Sequence, residues 1–136
     1  MNYFTLEELC RSNTASRLNL NNKPDKLVQS NLKRLINVLN KLRESWGKPI
    51  YVTSGYRCPE LNKKVGGANT SAHLTGNAVD LVSEPFDEFK SWIYKEIDKY
   101  DFDQLILEKN KTSEWVHLGL FNNNNQQRKQ KWSITI

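Results

Sequence analysis

The fold and the candidate site both follow from the stretch Ser71-Ala72-His73-Leu74-Thr75-Gly76-Asn77-Ala78-Val79-Asp80. It contains one of the two histidines of the chain, and Asp80 follows that histidine after a glycine-punctuated turn. The second histidine lies in Trp115-Val116-His117-Leu118-Gly119-Leu120, shortly after Glu114. Two imidazoles and one carboxylate match a catalytic zinc, which keeps its fourth position for water or substrate. This pattern suggests a metal site with Glu114 as a base beside it.

The histidines and Asp80 each have an ordinary explanation that competes with a metal site. A single histidine in a strand-like stretch is usually a packed or surface side chain. Asp80 lies inside the apolar run Ala78 to Val82, where an unpaired carboxylate would cost several kcal/mol of desolvation. A positive group must therefore face Asp80, and either Arg57 or a metal ion meets this demand.

Five short motifs occur in a fixed order along the chain. They are Ser54-Gly55-Tyr56-Arg57, Val65-Gly66-Gly67-Ala68, Ser71-x-His73, Gly76-x-Ala78-x-Asp80 and Glu114-Trp115-Val116-His117. From about Ile50 to Leu120 this order resembles the zinc D-alanyl-D-alanine peptidase family. That family includes D,D-carboxypeptidases, D,D-dipeptidases and L-alanyl-D-glutamate endopeptidases, and shares its fold with the hedgehog signalling domain.

The resemblance implies zinc as the cofactor and a stem peptide of bacterial peptidoglycan as the substrate. It implies that zinc is bound by His73, Asp80 and His117. It further implies that Glu114 is the general base. It also implies that Arg57 and Ser71 contact the substrate. An arginine fork can hold both oxygens of a carboxylate, as binding of a peptide C-terminus or an acidic side chain requires.

The base assignment makes a geometric demand. On a regular strand His117 shares a face with Trp115 and Gly119, and Glu114 points the opposite way. For Glu114 and His117 to face one metal, the chain near Glu114 must be bulged or still in a turn. Cys58 directly follows Arg57 and is a rival metal ligand.

Composition predicts one catalytic domain over residues 1–136. The chain carries 20 Lys and Arg against 15 Asp and Glu, a net charge of +5 that favours an anionic partner such as cell wall or nucleic acid. The basic residues are scattered and form no nucleic-acid motif, so we expect no nucleic-acid partner. No apolar run is long enough to cross a membrane, and the N-terminus does not resemble a secretory signal. Two cysteines are too few for a disulfide framework and agree with a reducing compartment.

Periodicity predicts an α+β fold. We expect a small, mostly antiparallel sheet of four or five strands, with two main helices on one face and the zinc site on the other. The predicted helices are 6–10, 25–46, 59–65 and 86–99, and residues 11–23 are expected to form a loop. The predicted strands are 50–53, 78–82, 103–107, 115–120 and 131–136.

Together these features predict a monomeric zinc peptidase that cuts an amide bond of a peptidoglycan stem peptide. Without an export signal, a phage or prophage lysis enzyme made in the cytoplasm and released to the wall is the favoured setting. A cytoplasmic dipeptidase is the alternative setting. A non-catalytic, zinc-stabilised binding or phage structural module of the same fold is a second hypothesis, and a nucleic-acid-binding domain is a third.

Overall fold

The computed structural model describes residues 2–136, which form helices and one sheet. The helices are Leu6–Cys10 (α1), Asn13–Arg17 (α2), Lys26–Trp46 (α3), Pro59–Lys64 (α4) and Phe86–Glu96 (α5), with 3₁₀ turns at Ala72–Thr75 and Ile97–Lys99. The strands are Ile50–Ser54 (β1), Ala78–Ser83 (β2), Gln104–Lys109 (β3), Glu114–Gly119 (β4) and Gln130–Thr135 (β5). Within residues 2–136 no helix combines the length and apolarity that a bilayer-spanning segment needs.

The long helix α3 provides much of the core. The Asp25 side chain accepts a hydrogen bond from the Val28 backbone at 2.9 Å and caps its start. Gly47 ends it in the left-handed region, at φ 77°. Five apolar residues at three- and four-residue steps are buried along one face, as an amphipathic helix requires: Val28, Leu32, Leu35, Leu39 and Leu42.

The five strands lie in the order β1-β2-β4-β3-β5. The β1–β2, β2–β4 and β3–β4 pairs are antiparallel, whereas β5 runs parallel to β3. The sheet is therefore mixed, and the expectation of a mostly antiparallel sheet is corrected. Both edges of β4 are already paired, so the chain leaving Gly119 cannot fold back on β4. The chain instead pairs with the other edge of β3. Gln104, which pairs with Gly119 on β4, pairs on its other side with Gln130, and β5 runs from there parallel to β3.

The two faces of the sheet have different roles because strand side chains alternate. On one face, fully buried side chains share a single hydrophobic core with α3 and α5; they are Val79, Leu81, Leu105, Val116 and Leu118. The opposite face carries Asp80 and His117, which are directly paired across β2 and β4. The alternation thus separates a structural face from a polar face.

The expected loop at residues 11–23 is wrong in part, because α2 occupies Asn13–Arg17. The Ser12 side chain accepts a hydrogen bond from Ala15 N at 3.1 Å and caps this turn, and Ala15 is buried beneath it. A helix this short has no apolar periodicity to reveal it; its serine cap was the available signal.

Candidate metal centre

His73 is held in place by a short 3₁₀ turn. The Ser71 hydroxyl accepts from His73 N at 3.2 Å and caps the turn, and Gly76 ends it at φ 74°. A Cβ at Gly76 would lie 2.9 Å from Val28 Cγ1, so glycine is needed for the turn to approach α3. His73 Nδ1 lies 2.7 Å from the carbonyl oxygen of Gly55. A carbonyl only accepts, so Nδ1 carries the proton and Nε2 presents its lone pair.

The sheet brings the other two candidate ligands to the same point. Asp80 Oδ1 lies 3.1 Å from His117 Nδ1 and 3.4 Å from His73 Nε2. The ligand atoms of the three residues all lie within 4.8 Å of one another. Their side chains are 3% exposed for His73, 11% for Asp80 and 13% for His117, so the cluster is buried but accessible at its rim.

The donor set fits a metal of the zinc type. Two imidazole nitrogens and one carboxylate oxygen converge, and three protein ligands leave a place for water or substrate. Burial raises the pKa of Asp80, but the charges and hydrogen bonds of His73 and His117 outweigh it, and the pKa lies below its usual range. Asp80 is therefore an ionised carboxylate ready to bind a cation. The rival ligand Cys58 is a free thiol and is not part of this group.

Arg57 places a positive charge beside Asp80. Its Nη2 lies 3.8 Å from Asp80 Oδ2, and its side chain is 14% exposed. Nε donates to Ser54 Oγ at 3.3 Å and Nη1 donates to Asn62 Oδ1 at 3.1 Å. The pKa of Arg57 lies below its usual value, because burial lowers it by more than the charges of Asp80 and Glu108 raise it. Arg57 thus answers the demand for a positive group near Asp80 without displacing the imidazoles.

Asn62 is a functional residue that the sequence did not single out. It is 2% exposed, accepts from Arg57 and donates Nδ2 to the Ala68 carbonyl at 2.9 Å. A Cβ at Gly67 would lie 2.1 Å from Asn62 Oδ1, which explains why a glycine stands there. Asn62 is a positioning residue for the Arg57 guanidinium.

A cavity of about 580 Å³ opens over the cluster. The metal-binding candidates His73, Asp80 and His117 lie in its wall with Arg57 and Ser71. The remaining polar and aromatic wall includes Asp103, Gln104, Glu108, Trp115 and Arg128. The volume suits a small peptide segment rather than a single water.

The comparison with protein families shows which family the chain belongs to. The peptidase M15 family model matches residues 2–119. The chain belongs to the peptidase M15 family. A search of curated proteins finds no match. M15 peptidases are zinc-dependent enzymes, so the His73, Asp80 and His117 cluster is the candidate zinc site of this M15 chain.

The structure does not bring Glu114 to the cluster. It starts β4 as a regular strand residue, paired with Lys109, so its side chain points to the helix side of the sheet. There Glu114 Oε2 lies 3.2 Å from Lys90 Nζ on α5, and Oε1 lies 3.8 Å from Lys109 Nζ. The β3–β4 register is continuous from Gln104–Gly119 to Lys109–Glu114, so the chain does not have the bulge that would turn Glu114 toward the metal site.

A different carboxylate of this M15 chain faces the cavity. Glu108 pairs with Trp115, two pairs along the ladder from Ile106–His117, so Glu108 and His117 share a face. Glu108 Oε2 accepts a hydrogen bond from Trp115 Nε1 at 2.7 Å and lines the cavity. The signal in the sequence was the hairpin register: a turn at 110–113 pairs Glu108 with Trp115, which shares the site face with His117.

Proposed function

We propose that the protein is a zinc-dependent peptidase that hydrolyses an amide bond in peptidoglycan stem peptides. The observation that carries the proposal is the convergence of His73, Asp80 and His117 at the floor of an open cavity, with a carboxylate and a guanidinium in its wall. Family membership supports a metallopeptidase acting on peptidoglycan. The donor set supports zinc.

Each wall residue has a role that follows from its charge and contacts. A zinc ion supplies Lewis acidity, polarising an amide carbonyl and making water acidic enough to ionise near neutral pH. Glu108, not Glu114, is proposed as the general base, because it lies on the site face. One oxygen of Glu108 is anchored by Trp115, so the carboxylate is oriented toward the cavity. It can take a proton from the attacking water and return it to the leaving amine.

Arg57 is proposed to bind a substrate carboxylate. Two of its five N–H groups are used by Ser54 and Asn62, which hold the guanidinium plane and leave other donors for a ligand. Both a free C-terminus and the acidic side chain of a stem peptide present such a carboxylate. Ser71 lines the cavity, but its hydroxyl already caps the turn that carries His73. We therefore propose that the main role of Ser71 is to hold His73 in place, and that contact with the substrate is secondary.

We extend the proposal to cleavage of either the D-alanyl-D-alanine or the L-alanyl-D-glutamate bond, in a phage or prophage lysis enzyme. The net charge of +5 supports an anionic wall as partner. The bond that is cut is tested by the same experiment as the activity.

Purified peptidoglycan is incubated with the protein, with and without a chelator, and the products are analysed by mass spectrometry. New stem-peptide fragments that disappear with chelator and return with added zinc are expected, and their masses identify the bond. Zinc binding without any product would instead support the non-catalytic module. Salt-dependent DNA binding without product would favour the nucleic-acid hypothesis.

A further inference from the structure

The last strand and the residue after it carry three apolar side chains that are only partly covered. Trp132 is 38% exposed, Ile134 is 45% exposed and Ile136 is 69% exposed. They occupy alternate positions of the chain, so they form one strip along β5. Large apolar groups that line up at the surface mark binding sites more often than isolated ones do.

This strip lies on the same face as the candidate zinc site. In the parallel register Trp132 pairs with Ile106 and Ile134 pairs with Glu108, and Ile106 in turn pairs with His117. Ile136 itself lines the cavity over the cluster. Lys131, the residue before Trp132, points the other way, because its Nζ contacts the Tyr94 carbonyl and Asp98 on the helix side. The strip therefore continues the floor of the cavity outward from Glu108.

An ion pair between the exposed Arg128 and the buried Asp103 anchors this part of the chain. Arg128 donates to both oxygens of Asp103 at 2.7 and 2.9 Å, and Asp103 is 2% exposed. The Gln130 backbone N–H then donates to the Asp103 carbonyl at 2.9 Å, where β5 begins. β5 lies beyond the residues matched by the family, which end at 119. The strip is thus a fixed addition to the matched core.

We propose that the strip binds sugar rings of the peptidoglycan glycan to which the stem peptide is attached. This inference rests on the proposed function and adds a second subsite to it. A sugar ring presents C–H bonds on its face and hydroxyls at its edge, so it needs an apolar platform with polar groups beside it. Trp132 and Ile134 provide the platform.

Carboxamides provide the polar edge of this subsite. Gln104 Nε2 donates to Gln130 Oε1 at 3.2 Å at the start of the strip, and both side chains are on the cavity face. Three alternate positions on a strand span only about 13 Å. A stable dimer buries roughly 800 Å² on each partner, which three side chains do not supply. A short saccharide fits this length and this mixture of apolar and amide groups.

The test compares two substrates that differ only in the sugar. One is a stem peptide linked to its disaccharide, and the other is the same stem peptide without it. In Trp132→Ala we expect kcat/KM to fall roughly tenfold on the sugar-linked substrate, the effect of losing an aromatic anchor. On the free peptide kcat/KM should be unchanged, and Trp132→Phe should retain most activity on both. Ser133→Ala, on the opposite face of the same strand, is the matched control.

Equal losses on both substrates, or no loss on either, would overturn the inference. A second measurement keeps it testable if wild type cuts neither substrate, which would refute the proposed function alone. Titration with a tetramer of N-acetylglucosamine, followed by NMR, should shift the Trp132 indole N–H signal. No shift in wild type would overturn the glycan subsite. So would a wild-type dimer in analytical ultracentrifugation that Trp132→Ala converts to monomer.

Discussion

The two faces of the β3–β4 hairpin place similar carboxylates in opposite settings. Glu108 faces the cavity and accepts one hydrogen bond from the Trp115 indole. Glu114 faces α5 and is neutralised by Lys90 and Lys109. Glu114 is closer to His117 along the chain, yet Glu108 is on the histidine's side of the sheet. The parity of a position on its strand, rather than its distance along the chain, decides whether it can take part in the chemistry.

The largest contrast is expected between two consecutive residues of β4. His117→Ala should lower zinc affinity at least roughly 100-fold, the upper end of the loss seen when only a supporting residue around a metal is removed. Activity should be abolished while the fold persists, because His117 is not part of the core. Leu118→Ala should instead lower the free energy of unfolding by about 2–5 kcal/mol, since Leu118 is fully buried. Zinc titration calorimetry and urea denaturation measure both effects.

The two-face description is wrong if His117→Ala unfolds the protein, or if Leu118→Ala destroys zinc binding in the fraction that remains folded. Leu27→Ala is the matched control for truncating a leucine, because Leu27 is 71% exposed on α3. It should leave zinc affinity and stability nearly unchanged.

The next contrast is between the two glutamates. Glu108→Gln should lower kcat by about 10²- to 10⁴-fold, the usual contribution of a general base, with zinc affinity unchanged. The amide keeps the shape of the side chain but cannot accept a proton. Glu114→Gln should keep kcat within about twofold of wild type. Rates on peptidoglycan fragments at saturating substrate measure both. A large loss in Glu114→Gln with none in Glu108→Gln would restore the assignment made from the sequence.

The sequence predicts Glu114 beside the metal and the structure does not place it there, for a specific reason. Residue types and order were enough to name His73, Asp80 and His117, and the structure brings them together. The assignment of Glu114 as the base rests on its place shortly before His117 and on the family resemblance, although the alternation of strand side chains argues against it. The turn in which Asn110 N donates to Ser113 O pairs Lys109 with Glu114 and sets the whole register. Reading that register from the predicted hairpin would have pointed to Glu108.

The helices and most strands were predictable because their periodicity is local. Helix α3 follows from its apolar spacing, and β2 from its short run of β-branched and apolar residues. The direction of β5 was not predictable in this way, because it depends on which sheet edge is free once β2 and β3 flank β4. Asn62 was also invisible: it acts through the Arg57 side chain, and no pattern along the chain marks that contact.

A smaller effect is expected from the pair that anchors β5 to the polar face. Burial raises the pKa of Asp103, but the hydrogen bonds and charge of Arg128 outweigh it and lower the pKa. The ionised form is favoured in the folded state, so its stabilisation is present above about pH 4 and is lost as pH falls through the lowered pKa. Asp103→Asn should lower the free energy of unfolding by about 1–3 kcal/mol at pH 7. Denaturation at pH 7 and pH 2.5 should show the difference from wild type shrinking at the lower pH, and a constant difference would contradict the ion-pair account.

The smallest effect is expected on the helix side, at the ion pair that holds Glu114. Lys90 is 29% exposed and Glu114 is 34% exposed, so solvent screens their attraction and the pair contributes under about 1 kcal/mol. Lys90→Met keeps an apolar stem of similar length and removes the charge, which also lies 5.6 Å from the centre of the Phe86 ring. Stability should fall by a few tenths of a kcal/mol at low salt and match wild type in about 1 M salt. Activity should not change, because no part of the pair reaches the cavity. A fall in kcat of tenfold or more in Lys90→Met would show that the two faces are coupled through β4, and that Glu114 contributes to the chemistry from the far side of the sheet.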